Sequence, residues 1–404
     1  MSLGLEAAGF DVVASVEFDP VHMLVHHFNF PYGISLCQDI RNLDTQSLLE
    51  NIRRKGFEGE IDLIAGGPPC QGFSSMGKRQ LDDPRNSLIF EYWRAIKEIQ
   101  PKYFIFENVP GLNTGEHQSF LEELVSKFEG INYTIAKPIQ VLDASEFGAP
   151  QKRKRLILIG TRQSLKKAKY PKVKKRGAKP PTVGEAIADL AGIDAFIRKD
   201  FGIPARELDY SGFRQSFALT PQGDYALCYP RKTDGQVWGH LGSKHTERSQ
   251  QRFLAAEAGK LEKVSHLFKL GDRGLCNTLR AGTARDKGAY TAPRPIHYSQ
   301  PRCITVREAA RLHTFPDWFQ FHGTIWHGFR EIGNAVVPLL AKALGTEIIQ
   351  CLKVDKDRLH PQHNMYLETL DRQYLRFNMH QACQYWQIPN TAIPKRKRPQ
   401  KPMA

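Results

Sequence analysis

The sequence predicts an α/β fold in which a largely parallel sheet is wrapped by helices and joined to a second, smaller, irregular domain. Three observations carry that prediction. Short apolar runs alternate with helix-period segments over residues 1–160. A lysine-rich, proline-punctuated stretch at 164–181 breaks the pattern. Residues 200–300 are rich in Gly, Arg, Tyr, Thr and His with little periodicity, as in a loop-dominated domain.

The apolar runs are Val12–Val16, Ile61–Ala65, Tyr103–Phe106 and Leu156–Ile159, each of strand length. After Thr114, the residues Phe120, Leu121, Leu124, Val125 and Phe128 recur at helical spacing, with Glu122, Glu123 and Lys127 on the polar face. Thr182 with Glu185 forms a capping box that opens a helix through Leu190, and Thr305 with Glu308 repeats the device before Ala309–Leu312. A final helix follows Pro338, its apolar face built from Leu339, Leu340, Ala343, Leu344, Ile348 and Ile349. Residues 390–404 are basic and poor in apolar side chains, the composition of a disordered tail.

At 404 residues the chain has room for two domains, and its 41% hydrophobic content can fill their cores. No stretch is expected to span a membrane, and no secretory signal is visible, so a soluble cytoplasmic protein is expected. The seven cysteines, at 37, 70, 228, 276, 303, 351 and 383, lack paired spacing. That disfavours a zinc site and a disulfide framework, so no metal is expected and a reducing compartment fits. A net charge of +15 favours nucleic acid as partner over small acidic metabolites. The basic blocks Lys166–Arg176 and Lys395–Arg398 read equally well as solvated linker and as phosphate-binding surface.

The chemistry centres on Gly66-Gly67-Pro68-Pro69-Cys70-Gln71-Gly72-Phe73-Ser74, directly after an apolar run. Glycines and prolines stop the strand and fix the backbone that presents the thiol, a nucleophile's position that a core cysteine has no use for. Glu17 and Glu107 follow their own runs in the same way, and a parallel sheet would gather all three at one edge. A thiolate beside a carboxyl group suits addition to an electron-poor ring followed by proton management. Carbon 6 of cytosine is such an electrophile: an acid bonded to ring nitrogen 3 and the exocyclic amine eases attack, and the resulting enamine makes carbon 5 nucleophilic. A cation at the ring carbonyl would help, and Arg153 and Arg155, alternating in an extended segment, should point the same way.

The chain resembles the DNA (cytosine-5) methyltransferase family. The matching motifs, in order, are GGPPCQGFS at 66–74, Glu107-Asn108-Val109, QKRKR at 151–155, TVREAARLHTFPDWF at 305–319 and GNAVVP at 333–338. The resemblance implies a Rossmann-like, S-adenosylmethionine-dependent methyltransferase sheet. Cys70 would be the nucleophile, Glu107 would hold and protonate the base, Arg155 would contact its carbonyl oxygen, and Arg153 would support the active-site loop. S-adenosylmethionine would be the methyl donor, with Glu17 on the ribose, Phe18 against the adenine, and Asp39 with neighbouring Ile40 at the adenine amino group. Pro68, Leu88, Asn334 and Val336 match positions lining the rest of the donor pocket. Gln71, Ser74, Arg79 and Arg85 fall in the segment that meets duplex DNA around a flipped-out cytosine.

The implied organisation is a catalytic domain at 1–162 completed by 325–351, a target-recognition domain at 163–324, and an extension at 352–404. Thr278–Arg280 and Arg294–His297 are candidates for backbone contacts to DNA or for structural roles, and the Arg307–Arg311 helix is expected to buttress the small domain. The family begins with a strand and a glycine-rich turn of the FxGxGG kind, whereas Met1–Phe10 resembles the helix after that turn. Met1 is therefore expected to be an internal methionine. The alternatives are a catalytically impaired DNA-binding remnant and a tRNA cytosine-5 methyltransferase, the long irregular region favouring duplex DNA. A monomer associated with the nucleoid, paired with a restriction or defence system, is the expectation by analogy.

Overall fold

The chain was analysed as a computed structural model, which describes residues 1–69, 87–113, 115, 118–173, 179–195, 202–219, 233–282, 294–354 and 370–390. In chain order the first elements are α1 (Ser2–Glu6), β1 (Ala14–Glu17), α2 (Pro20–Asn29), β2 (Ile34–Cys37), α3 (Thr45–Arg54), β3 (Leu63–Gly66), α4 (Ser87–Ile99) and β4 (Tyr103–Asn108). Next come α5 (Gln118–Glu129), β5 (Tyr133–Ile135), β6 (Gln140–Asp143), β7 (Lys154–Arg162), α6 (Val183–Ala191), β8 (Ile203–Pro204), β9 (Gln236–Val237) and α7 (Glu247–Ala255). The last are α8 (Val306–Leu312), α9 (Ile325–Asn334), α10 (Pro338–Leu352) and α11 (Met379–Tyr385).

Four of these strands match the apolar runs, but the sheet is mixed. β3 and β4 are parallel, with Gly66 opposite Phe106, whereas β4, β5 and β6 all pair antiparallel with β7. β1 and β2 form a separate parallel pair, Glu17 opposite Cys37. The expectation of a largely parallel sheet is corrected here for a physical reason: apolar runs report strands, not their direction. The ten residues between Asp143 and Lys154 are too few for the helical crossover that a parallel pairing needs.

Alternation along the central strands sorts their side chains onto two covered faces, which is why they read as continuous apolar runs. Phe104, Phe106, Leu156 and Leu158 pack with Ile89, Tyr92 and Ile96 of α4 and with Phe120, Leu124 and Phe128 of α5. Tyr103, Ile105, Ile157 and Ile159 face the other way, onto Leu5 of α1 and Leu340, Leu344 and Ile348 of α10. The stretch Ile325–Leu352 has the length and hydropathy of a membrane span, contrary to the sequence reading. It is two helices, with Pro338 in the first turn of the second, and α10 buries its apolar face on the sheet.

Both expected capping boxes are present, at Thr182–Glu185 and Thr305–Glu308. α8 is buried along its whole length, charged residues included. Arg311 pairs with Asp317 at 2.6 Å and Asp189 at 2.7 Å, and Arg302 pairs with Glu308 at 2.7 Å. Arg307 donates to the carbonyls of Trp238, Pro316 and Phe319. The TVREAARL helix is thus an internal strut, and the core around it takes in Leu3, Phe30 and Leu339.

The extension after α10 is partly built into the fold. Residues 370–390 lie on α2: Trp386 donates to the Pro20 carbonyl at 3.0 Å, and Val21 and Leu24 pack with Ala382. The Leu375 carbonyl accepts from Gly323 at 2.8 Å, and the Phe377 carbonyl lies 3.0 Å from His322 Nε2. Residues 391–404, including Lys395–Arg398, lie outside the described residues.

Candidate active site

The turn after β3 presses its backbone on the end of β4. A side chain at Gly67 would collide with the Glu107 carboxylate and push it aside, so glycine lets that carboxylate keep its place. Asn108 Nδ2 donates to the Pro68 carbonyl at 3.2 Å. The described chain therefore holds Gly67 and Pro68 against Glu107 and Asn108. Glu107 is largely buried and its Oε1 lies 2.7 Å from Nε of Arg155, a β7 residue also largely buried. In such an ion pair, largely withdrawn from water, loss of either partner is costly because it leaves the other charge buried and unpaired.

QKRKR runs as an alternating segment into β7. Lys152 and Lys154 face solvent, while Gln151 and Arg153 are buried. Arg153 donates to the carbonyls of Leu279 at 2.7 Å, Gly333 at 2.7 Å and Ala335 at 3.0 Å. Burial pulls its guanidinium down to about 9, with Arg155 also lowering it and Glu107 opposing. Two of its acceptors, the Gly333 and Ala335 carbonyls, flank Asn334, so Arg153 shapes the GNAVVP turn. Gln151 adds a link the sequence reading did not assign: its side chain meets the Leu312 carbonyl, His313 Nδ1 and the Leu279 amide. His313 Nε2 in turn lies 3.0 Å from the Ala335 carbonyl. Alternation of polar residues in QKRKR was the available signal for this inward Gln and Arg.

Glu17 and Asp39 sit at the carboxyl ends of the paired strands β1 and β2, where ligands of α/β proteins bind. Glu17 Oε1 accepts the Asp19 amide at 2.9 Å. Phe18 beside it is 64% exposed, an aromatic face without protein cover that suits a flat ring. Asp39 pairs with Arg41, whose hydrogen bonds hold the carboxyl below its ordinary range. Ile40 is placed by its carbonyl, which accepts from Arg94 of α4 at 2.9 Å; Arg94 is a positioning residue that sequence reasoning missed. Asn334 is exposed at the end of α9, Val336 is buried, and Leu88 is half-buried at the start of α4. These residues fit S-adenosylmethionine in kind: carboxylates for hydroxyls and an amine, an uncovered aromatic ring, and a polar amide.

Cys70, Gln71, Ser74, Arg79 and Arg85 lie outside the described residues, as do Lys174–Arg176. Of the candidate DNA contacts, Leu279, Ile296 and His297 are buried and Thr278 is bonded to the Lys152 carbonyl at 2.7 Å, which are structural placements. Arg280 is exposed.

A family model described as C-5 cytosine-specific DNA methylase matches residues 1–350. Type II methyltransferase M.XorII of Xanthomonas oryzae pv. oryzae is 43% identical over 99% of this chain and 92% of its own length. Type II methyltransferase M1.HphI of Haemophilus parahaemolyticus is 31% identical over 86% of this chain and 83% of its own. A crystal structure described as a prophage-encoded DNA modification methyltransferase of E. coli is 32% identical, covers 87% of this chain and 96% of its own, and superposes with a TM-score of 0.71. The chain belongs to the C-5 cytosine-specific DNA methylase family, whose members methylate carbon 5 of cytosine with S-adenosylmethionine as donor.

Proposed function

We propose that Cys70, Glu107 and Arg155 carry out the methylation of a flipped-out cytosine in duplex DNA, with Arg153 as a positioning residue. The supporting observation is the Glu107–Arg155 pair at 2.7 Å, with the turn that leads into Cys70 packed against Glu107. The Cys70 thiolate forms a bond to carbon 6 while Glu107 donates to ring nitrogen 3, and Arg155 faces the ring carbonyl. The donor supplies an electrophilic methyl group, which carbon 5 takes up. Loss of the carbon 5 proton then returns the electron pair that expels the thiolate. Glu17, Phe18, Asp39, Ile40, Pro68, Leu88, Asn334 and Val336 form the donor side, and Gln71, Ser74, Arg79 and Arg85 meet DNA.

The sheet domain, 1–162 with 325–351, does the chemistry, and 163–324 reads the target, by base-edge and phosphate contacts. The relatives named Type II methyltransferases support a modification enzyme paired with a restriction nuclease; this enzyme acts as a monomer on chromosomal DNA in the cytoplasm. The test is covalent trapping on duplex DNA carrying 5-fluorocytosine at mixed target sites, where fluorine at carbon 5 cannot leave as a proton. A donor-dependent protein–DNA adduct is expected for the chain and not for Cys70→Ser; an adduct in that variant overturns the assignment.

A further inference from the structure

His22 near the start of α2 and His327 and Glu331 of α9 converge beside the donor-side loop, outside the catalytic pair. His327 and Glu331 are one turn apart on the same helix face. The His22 and His327 rings meet edge to face at 5.8 Å. One ligand-type atom from each of the three residues lies within 4.8 Å of the other two. Each residue also carries a buried polar atom with no hydrogen-bond partner among the described residues: His22 Nε2, His327 Nδ1 and Glu331 Oε1. Orphaned buried atoms cost about 1–3 kcal/mol each, so one on each of three clustered ligand-type residues calls for a common partner.

Two of the three side chains have a second polar neighbour. Asp19 Oδ2 stands 3.7 Å from His22 Nδ1, an ion-pair contact that sets a carboxylate beside the imidazole. Glu331 Oε2 accepts the His322 amide at 3.1 Å and leaves Oε1 free. His322 is engaged with Thr324 and the Phe377 carbonyl, which leaves two histidines and one glutamate for the locus. Two helix N-termini nearby disfavour a cation, but Glu331 and Asp19 supply two negative charges that offset a divalent ion.

We propose that His22, His327 and Glu331 bind one zinc-class divalent ion that staples α2 to α9. Bonds of about 2.0–2.2 Å with tetrahedral angles put ligand atoms about 3.4 Å apart, so the observed cluster closes by small side-chain rotations. Water fills the fourth position. The staple joins the helix that follows Glu17 and Phe18 to the helix that ends at Asn334, and so braces the donor side from behind.

The experiment titrates cobalt(II), then zinc, into the untagged full chain after chelator treatment, reading the visible spectrum and the melting temperature. One equivalent of cobalt with a tetrahedral spectrum is expected, displaced by zinc, with zinc raising the melting temperature. Glu331→Gln and His327→Gln, each checked for folding by circular dichroism, should weaken binding at least 10–100-fold, on the scale of even outer-shell losses. Absence of stoichiometric binding by the parent chain, or unchanged affinity in both folded variants, overturns the site.

Discussion

In the proposed reaction, Arg153 serves a step it does not touch. Its buried guanidinium has three carbonyl acceptors, two of them flanking Asn334. Lysine cannot reproduce that planar fork. Arg153→Lys is therefore expected to raise KM for S-adenosylmethionine roughly tenfold, about 1.4 kcal/mol of donor binding, while kcat changes less. Steady-state kinetics with the donor varied separates this from a direct part in chemistry, which would fall on kcat. The alternation of QKRKR made an inward Arg153 and Arg155 legible, because side chains two apart in an extended chain share a side. What each would meet was not legible, since Leu279, Gly333 and Glu107 come from segments far away in sequence.

At the scale of elements, α8 is a helix whose charges are all internal, and it makes the small domain sensitive to acid. His297 Nδ1 accepts the amides of Ser299 and Gln300 at 3.1 Å, which holds the ring neutral. Burial pulls its pKa down to about 4 from 6.5. The unfolded chain then binds a proton that the native state refuses, so this contribution to stability is full above about 6.5 and is lost as pH falls to about 4. Glu308 is opposed by burial, yet its Arg302 pair brings it to about 2, so further stability is lost below 4.5. Urea midpoints should fall across the first window, and His297→Gln should flatten that fall; an unchanged slope in this variant would assign the acid sensitivity elsewhere. Capping boxes and apolar runs made α6, α8 and the central strands legible. β2, β5 and β6 were not, because three or four residues give no period, and the direction of β7 was set by a short connection. α11 was missed because its anchors, such as Trp386 on the Pro20 carbonyl, are tertiary.

At the scale of the whole molecule, the strands that carry Glu107 and Arg155 are adjacent, and Gly67 brings the nucleophile's turn against them. The ordered motifs made the chemistry legible before any contact was known, whereas the links of Gln151 and Arg153 to Leu279, Leu312 and Gly333 were visible only in three dimensions. The proposed reaction is methyl transfer to duplex DNA through Cys70 with help from Glu107. It is tested most directly by following labelled methyl groups from S-adenosylmethionine into mixed-sequence duplex DNA and, in parallel, into tRNA. Label should enter duplex DNA, vanish with Cys70→Ala, and fall roughly 10²–10⁴-fold with Glu107→Gln. Undiminished transfer by Cys70→Ala, or label entering tRNA alone, would contradict the account.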